Sequence, residues 1–188
     1  MSNVLVIVET AGGAVRSSSL PGITCGRQFA EKTGGELHLL VLAADAAAAQ
    51  IVADGGYGAA KVHAVIDAAL EPFTAEAWSD AIGGSIAALA PAAVGGTATS
   101  TLRSVLPRVA AKLDAPLASE VTAVTGANGF IRPISAGRAN LNGAVDGSPF
   151  FFTARGTEFE PAAAGPASPL EQLSGISVST RGVEVLEV

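Results

Sequence analysis

The chain has 188 residues, 49% of them hydrophobic and 15% charged, which excludes intrinsic disorder and suits one domain or one domain with a small appendage. A formal net charge of −6 argues against a nucleic-acid partner, because phosphate backbones are held by clustered Lys and Arg. A single cysteine, Cys25, excludes an internal disulfide framework, and no apolar run approaches the ~20 residues of a membrane span, so no membrane insertion and a cytoplasmic location are expected.

The N-terminus has no basic stretch ahead of its short apolar run and reads as a strand, not a signal peptide. That run, Val4–Val8, suits a strand buried on both faces of a parallel sheet. The loop "ETAGGAVRSSS" leads to a helix from about Leu20 to Thr33, with Ser18 or Ser19 as N-cap and Gly34-Gly35 as its stop. Leu37–Leu42 is a second buried strand, and a short helix runs from Asp45 to the next glycines. Val62–Ile66 is a third strand. Thr74 caps a longer helix through Leu89, with Glu76 in its first turn, and Ala92–Gly95 is a fourth strand. The helix after it carries Leu102, Val105, Leu106, Val109, Ala110 and Leu113 at spacings of three and four, one apolar stripe. Pro107 costs little in a first turn and kinks the helix if it lies further in.

This alternation of strand and helix implies an α/β fold, a Rossmann-like, doubly wound, mainly parallel sheet with right-handed crossovers. From Ala115 the rhythm changes. "SEVTAV", "FIRPIS", "RANLNGAV" and "PFFFTAR" are strand-like, and Asn128-Gly129 and Asp146-Gly147 are hairpin signals, so added antiparallel strands are expected to join or extend the same sheet. "EPAAAGPASP" reads as a linker, and "VEVLEV" at the C-terminus is strand-like.

In order along the chain, "VLVIVET", "GGELHLLVLA", "RSVLPRVAAKLDAPLASEV", "RPISAGRANLNGAV" and "FTARGTEFEP" resemble landmarks of the N-terminal domain of the electron transfer flavoprotein alpha subunit family. The resemblance covers residues 3 to about 161. It implies an adenine nucleotide alpha hydrolase-like fold, with an N-terminal-type α/β domain over residues 1–160. Residues 161–188 would then be a linker and tail toward a flavin-binding domain that the chain ends before reaching. It also implies a non-catalytic role: pairing with a beta subunit and supporting FAD-mediated electron transfer from acyl-CoA or similar dehydrogenases, as in fatty acid beta-oxidation, to a respiratory acceptor. In the family most of the flavin site lies on the second domain and the AMP site on the beta subunit, so no cofactor is expected in this chain alone. The resemblance places no catalytic group on the Pro107 helix.

Gly95, Gly96, Thr97, Ser100 and Thr101 belong to a small-residue segment between strand and helix. Backbone N–H groups at such a helix start attract anions, which makes these residues a candidate nucleotide loop. Helix capping by Thr99, Ser100 or Thr101 explains the same residues. "DGGYGAAKV" reads as a turn into the third strand. Arg103, Arg108, Arg132, Arg138 and Arg155 could reach acidic groups on a partner or pair locally. His38 and His63 lie in apolar strands with no Cys or carboxylate cluster at ligand spacing, so no metal site is expected. There is no G-x-S-x-G elbow. Cys25 and Trp78 read as core residues. Phe130, Ile134 and Phe159 are expected on a partly exposed apolar face. Two functions follow: a flavoprotein scaffold domain, or a freestanding adenine-nucleotide-binding domain that uses the 95–101 segment.

Overall fold

Val4–Val8 is buried at every position, as a run without polar alternation must be when helices cover both faces of its sheet. In the computed structural model, which describes residues 3–186, this run is strand β1. Around the loop after it, β2 (Thr10–Ala11) and β3 (Ala14–Val15) form a two-residue hairpin turned by Gly12 and Gly13, both at positive φ. Then come α1 (Leu20–Thr33), β4 (Leu37–Ala43), α2 (Ala46–Gly55), β5 (Lys61–Ile66), α3 (Ala75–Leu89), β6 (Ala93–Thr97) and α4 (Ser100–Lys112). The rest comprises β7 (Leu117–Val121), β8 (Ala123–Val124), β9 (Gly129–Ile134), β10 (Ala139–Ala144), β11 (Phe150–Ala154) and β12 (Leu170–Gln172).

Seven strands form one parallel sheet in the order β12-β5-β4-β1-β6-β11-β7. Side chains leave a strand on alternate faces, and the two cores follow that period. Val4, Val6, Val8, Phe150 and Phe152 meet Ile23, Phe29 and Val52 of α1 and α2. Leu5, Ile7, Val94 and Phe151 meet Ile82, Leu102 and Leu106 of α3 and α4. The sheet is therefore doubly wound and Rossmann-like. No described helix is long and apolar enough to cross a membrane.

Local chemistry accounts for most helix boundaries. The Asp45 carboxylate accepts from the Ala47 and Ala48 N–H groups, and Thr74 Oγ1 accepts from the Ala77 N–H. Gly34 ends α1 in the left-handed conformation, its N–H bonded to the Ala30 and Glu31 carbonyls. Ser19 precedes α1 without capping it through its side chain, because its hydroxyl is engaged elsewhere. Pro107 lies inside α4, beyond its first turn, so the helix forfeits one internal hydrogen bond there. Five of the six stripe residues of α4 are buried; Leu113, at the C-cap, is exposed.

The region after Ala115 divides differently from the expectation. β8, β9 and β10 form a separate antiparallel sheet, and the Asn128-Gly129 signal falls at its β8–β9 turn. "PFFFTAR" is not an antiparallel strand: it is β11, inserted parallel between β6 and β7. All five of its residues are buried, which suits an interior strand of a parallel sheet. Asp146-Gly147 thus connects the arm to the main sheet rather than turning a hairpin. The segment expected as a linker is tied to the body. The Gly165 and Ser168 N–H groups bond the Gly55 and Ala53 carbonyls at the C-terminal end of α2, at 2.8 Å each, and β12 then pairs with β5. No strand forms over residues 183–186, and the last two residues of "VEVLEV" lie outside the described residues.

Candidate functional site

In an open α/β sheet, ligands favour the crevice beyond the strand C-termini where strand order reverses. Here that point lies between β1 and β6. Glu9 follows β1 directly and is only 4% exposed. Its N–H donates to Ser19 Oγ at 3.0 Å, and the Arg16 N–H donates to its carbonyl at 2.9 Å, so the β2–β3 hairpin folds back over it. Thr99 Oγ1 donates to the Glu9 carboxylate at 2.5 Å and accepts from the Leu102 N–H at 3.2 Å. Arg16 Nη1 stands 3.7 Å from the other carboxylate oxygen. Thr99 is the N-cap of α4, so Glu9 places its own negative charge at the positive end of that helix. The remaining space, lined in part by Thr101, Phe73 and Trp78, is about 120 Å³. Small-molecule sites run from about 300 Å³ upward. A pyrophosphate entering here would meet the Glu9 carboxylate, so the crevice does not fit a flavin dinucleotide.

The residues singled out for a nucleotide loop are divided among different tasks. Gly95 and Gly96 lie inside β6, not in a loop. A Cβ on Gly95 would stand 2.4 Å from the Phe152 carbonyl oxygen, so the β11 backbone requires that glycine. One on Gly96 would stand 2.5 Å from Leu102 Cδ1 and 3.1 Å from the Ile7 carbonyl oxygen, so Leu102 would have to shift to admit it. Thr97 is buried, accepts from the Gly22 N–H at 2.8 Å and donates to the Ser19 carbonyl at 3.2 Å. Ser100 is exposed in the first turn of α4, and Thr101 faces the crevice. Glu9 and Arg16 were not visible as partners in sequence. The available signal was an acidic residue placed directly after a fully buried strand.

The antiparallel arm is a second candidate surface. Ile134 and Leu141 are 38% and 43% exposed. Register pairs Ile134 with Ala139 and Leu141 with Arg132, which makes Ile134 and Leu141 diagonal neighbours on one face. Phe130 and Phe159, expected beside Ile134, are instead buried against the α1 side of the core. Of the five arginines considered for a partner, Arg103 is held by Glu120 and Arg108 by Glu76, each at 2.7 Å. Arg132, Arg138 and Arg155 have no side-chain partner among the described residues.

His38 and His63 lie on neighbouring strands and share a 2.8 Å contact, Nδ1 of the first to Nε2 of the second. Burial, followed by the charge of His38, lowers the His63 pKa from 6.5 to about 4; Glu171 opposes the shift and Lys61 adds to it. Between those two values the unfolded chain binds a proton that the folded chain refuses, so stability falls as pH drops through that window. We expect His63 ring resonances to stay those of the neutral form until about pH 4. The unfolding free energy should fall by roughly 2 kcal/mol below pH 6.5, a figure discounted for solvent near the exposed Glu171. A ring that titrates near 6.5 contradicts this. Among the described residues no group of three or more His, Cys, Asp or Glu is placed to hold a metal ion. Cys25 is a buried core thiol whose pKa burial raises, and Trp78 packs edge-on against Phe73 while donating to the Leu70 carbonyl at 3.2 Å.

Comparison with known proteins matches residues 4–174 to the electron transfer flavoprotein domain family. The chain is 32% identical over 182 residues to the electron transfer flavoprotein subunit alpha of Pseudomonas aeruginosa, covering 92% of this chain and 54% of that protein. It is 29% identical over 180 residues to a probable mitochondrial electron transfer flavoprotein subunit alpha of Caenorhabditis elegans, covering 96% and 53%. It is 32% identical over 169 residues to the subunit alpha of Paracoccus denitrificans, covering 90% and 53%. The chain thus spans about half the length of the curated relatives it matches.

Proposed function

The chain belongs to the electron transfer flavoprotein family, and from that premise we propose that it is an N-terminal, alpha-type domain acting as a scaffold, not as a catalyst. In this reading it pairs with a beta-type subunit and supports a flavin, FAD, held mainly by other parts of the assembly. The flavin supplies the electron chemistry when bound. The electrons would come from acyl-CoA or similar dehydrogenases and pass to a respiratory acceptor.

The observation that carries the pairing is the antiparallel arm. It projects Ile134 and Leu141 together on one exposed face, whereas the other exposed large apolar side chains among the described residues, Phe73, Leu113, Leu170, Val183 and Leu186, lie outside the arm. Exposed apolar patches of this kind mark protein interfaces. The reading of an independent adenine-nucleotide domain is weaker, because Glu9 already serves the start of α4 where a phosphate would bind.

The test is sedimentation of this chain alone and mixed with an electron transfer flavoprotein beta subunit of the same source. A one-to-one complex is expected. Ile134→Asp with Leu141→Asp should weaken it by a factor of about 100, the loss of two apolar anchors, and shift free-chain stability by only about 0.5 kcal/mol. Absence of a complex with the wild-type chain contradicts the reading, as does pairing unaffected by the double substitution.

A further inference from the structure

Resting on that pairing, we infer that the groove between Arg132 and Arg155 seats a carboxylate presented by an acidic segment of the partner subunit. The groove, about 630 Å³, opens where the arm joins the ends of β7 and β11. Among the other guanidinium groups, that of Arg27 donates to the Tyr57 carbonyl, and those of Arg16, Arg103, Arg108 and Arg181 each hold a carboxylate. The two arginines of the groove hold none among the described residues. Glu120 also lines the groove, yet its carboxylate is engaged by Arg103 at 2.7 Å, so it leaves the positive charge of the groove in place.

The Nε of Arg132 sharpens the point. It is buried from water and has no hydrogen-bond acceptor among the described residues. Native proteins seldom leave a buried donor unpaired, and an acceptor arriving with a partner would satisfy it. The rim of the groove is also held in an unusual backbone state. Ser135 and Ala136 have φ of 51° and 55°, the left-handed region, ahead of Gly137 at 82°. Non-glycine residues persist there where the surrounding structure imposes the shape, and such positions cluster at ligand clamps.

The chemistry selects the occupant. A guanidinium presents a planar fork of donors that matches a carboxylate in two parallel bonds. Ile134 forms one wall of the groove and lies on the same face as Leu141, so the occupant needs an apolar flank beside its charge. A protein segment with an Asp or Glu beside apolar side chains meets both demands. Arginine is over-represented among the residues that dominate such interfaces.

The test compares affinity for the beta subunit across wild-type, Arg132→Gln, Arg155→Gln and Arg138→Gln chains at low and high salt. The first two substitutions should each weaken pairing by about tenfold or more and flatten its salt dependence. Arg138 is unpaired but outside the groove, and its substitution should change affinity by less than about threefold. Thermal midpoints of the free variants should match the wild type, because neither groove guanidinium has an internal partner to lose. If the wild type pairs and both groove variants pair equally well, the acid clamp is wrong while the proposed function stands. If the wild type does not pair, both fail. Saturable binding of inorganic phosphate to the free chain, abolished by Arg155→Gln, would assign the groove to a small anion and overturn the clamp.

Discussion

Gly22→Ala is expected to destabilise the chain by about 3 kcal/mol or more, the upper range for forcing atoms into a closed contact. Gly22 lies in the first turn of α1. A Cβ there would stand 2.3 Å from the Thr97 backbone nitrogen and 2.7 Å from the Gly96 carbonyl carbon. Both obstacles are main chain of β6, so no side chain can rotate away. Relief requires lifting α1 from the end of β6, which breaks the Gly22 N–H to Thr97 Oγ1 bond and loosens the Thr97 contact with the Ser19 carbonyl. The site and the sheet are therefore coupled through one missing methyl group. Gly83→Ala is the matching control: it lies inside α3 with nothing within 4 Å of the added carbon. It should stabilise by about 0.5–1 kcal/mol through helix propensity alone. Denaturant unfolding of the two variants measures both effects, and a Gly22→Ala chain within about 0.5 kcal/mol of wild type would contradict the close approach.

Phe152→Ala should cost about 3–5 kcal/mol. Phe152 pairs with Gly95 across β6 and β11, and its ring covers the space a side chain at Gly95 would need. On its other side it packs against Phe29 of α1, ring centres 4.9 Å apart. Removing it opens a void bounded by two strands and a helix, and rigid backbone cannot collapse into such a void. Phe73, exposed and touching Trp78 edge-on, should cost about 1 kcal/mol when replaced by Ala. Similar losses at the two positions would show that Phe152 does not close the core.

The parts of this fold that were legible in sequence are those whose signals are local. A continuous apolar run such as Val4–Val8 specifies a two-faced burial by itself, and Asp45, Thr74 and Gly34 act within a few residues of their positions. What was not legible depends on which segments meet. "PFFFTAR" looks the same whether it ends a hairpin or threads between β6 and β7. The choice is made by the fit of Phe152 over Gly95, a partner more than fifty residues earlier. The glycine pair at 95–96 suggested an open anion loop for the same reason: sequence shows the missing side chains, not the Phe152 and Leu102 atoms that fill their place. The Glu9–Thr99 bond joins residues 90 positions apart, and β12 is a short, exposed edge strand with no alternation to announce it.

In the proposed scaffold role the chain supports flavin-mediated electron transfer without carrying the flavin itself, and the absorbance spectrum of the purified, partner-free chain tests that role most directly. The crevice beyond β1 and β6 offers about 120 Å³ and a buried carboxylate, and one helix start is worth only about 1 kcal/mol toward a bound anion, against the roughly 8 kcal/mol of micromolar affinity. The expected spectrum has no flavin bands, before or after incubation with FAD and gel filtration. Flavin retained at near-stoichiometric occupancy would contradict that role.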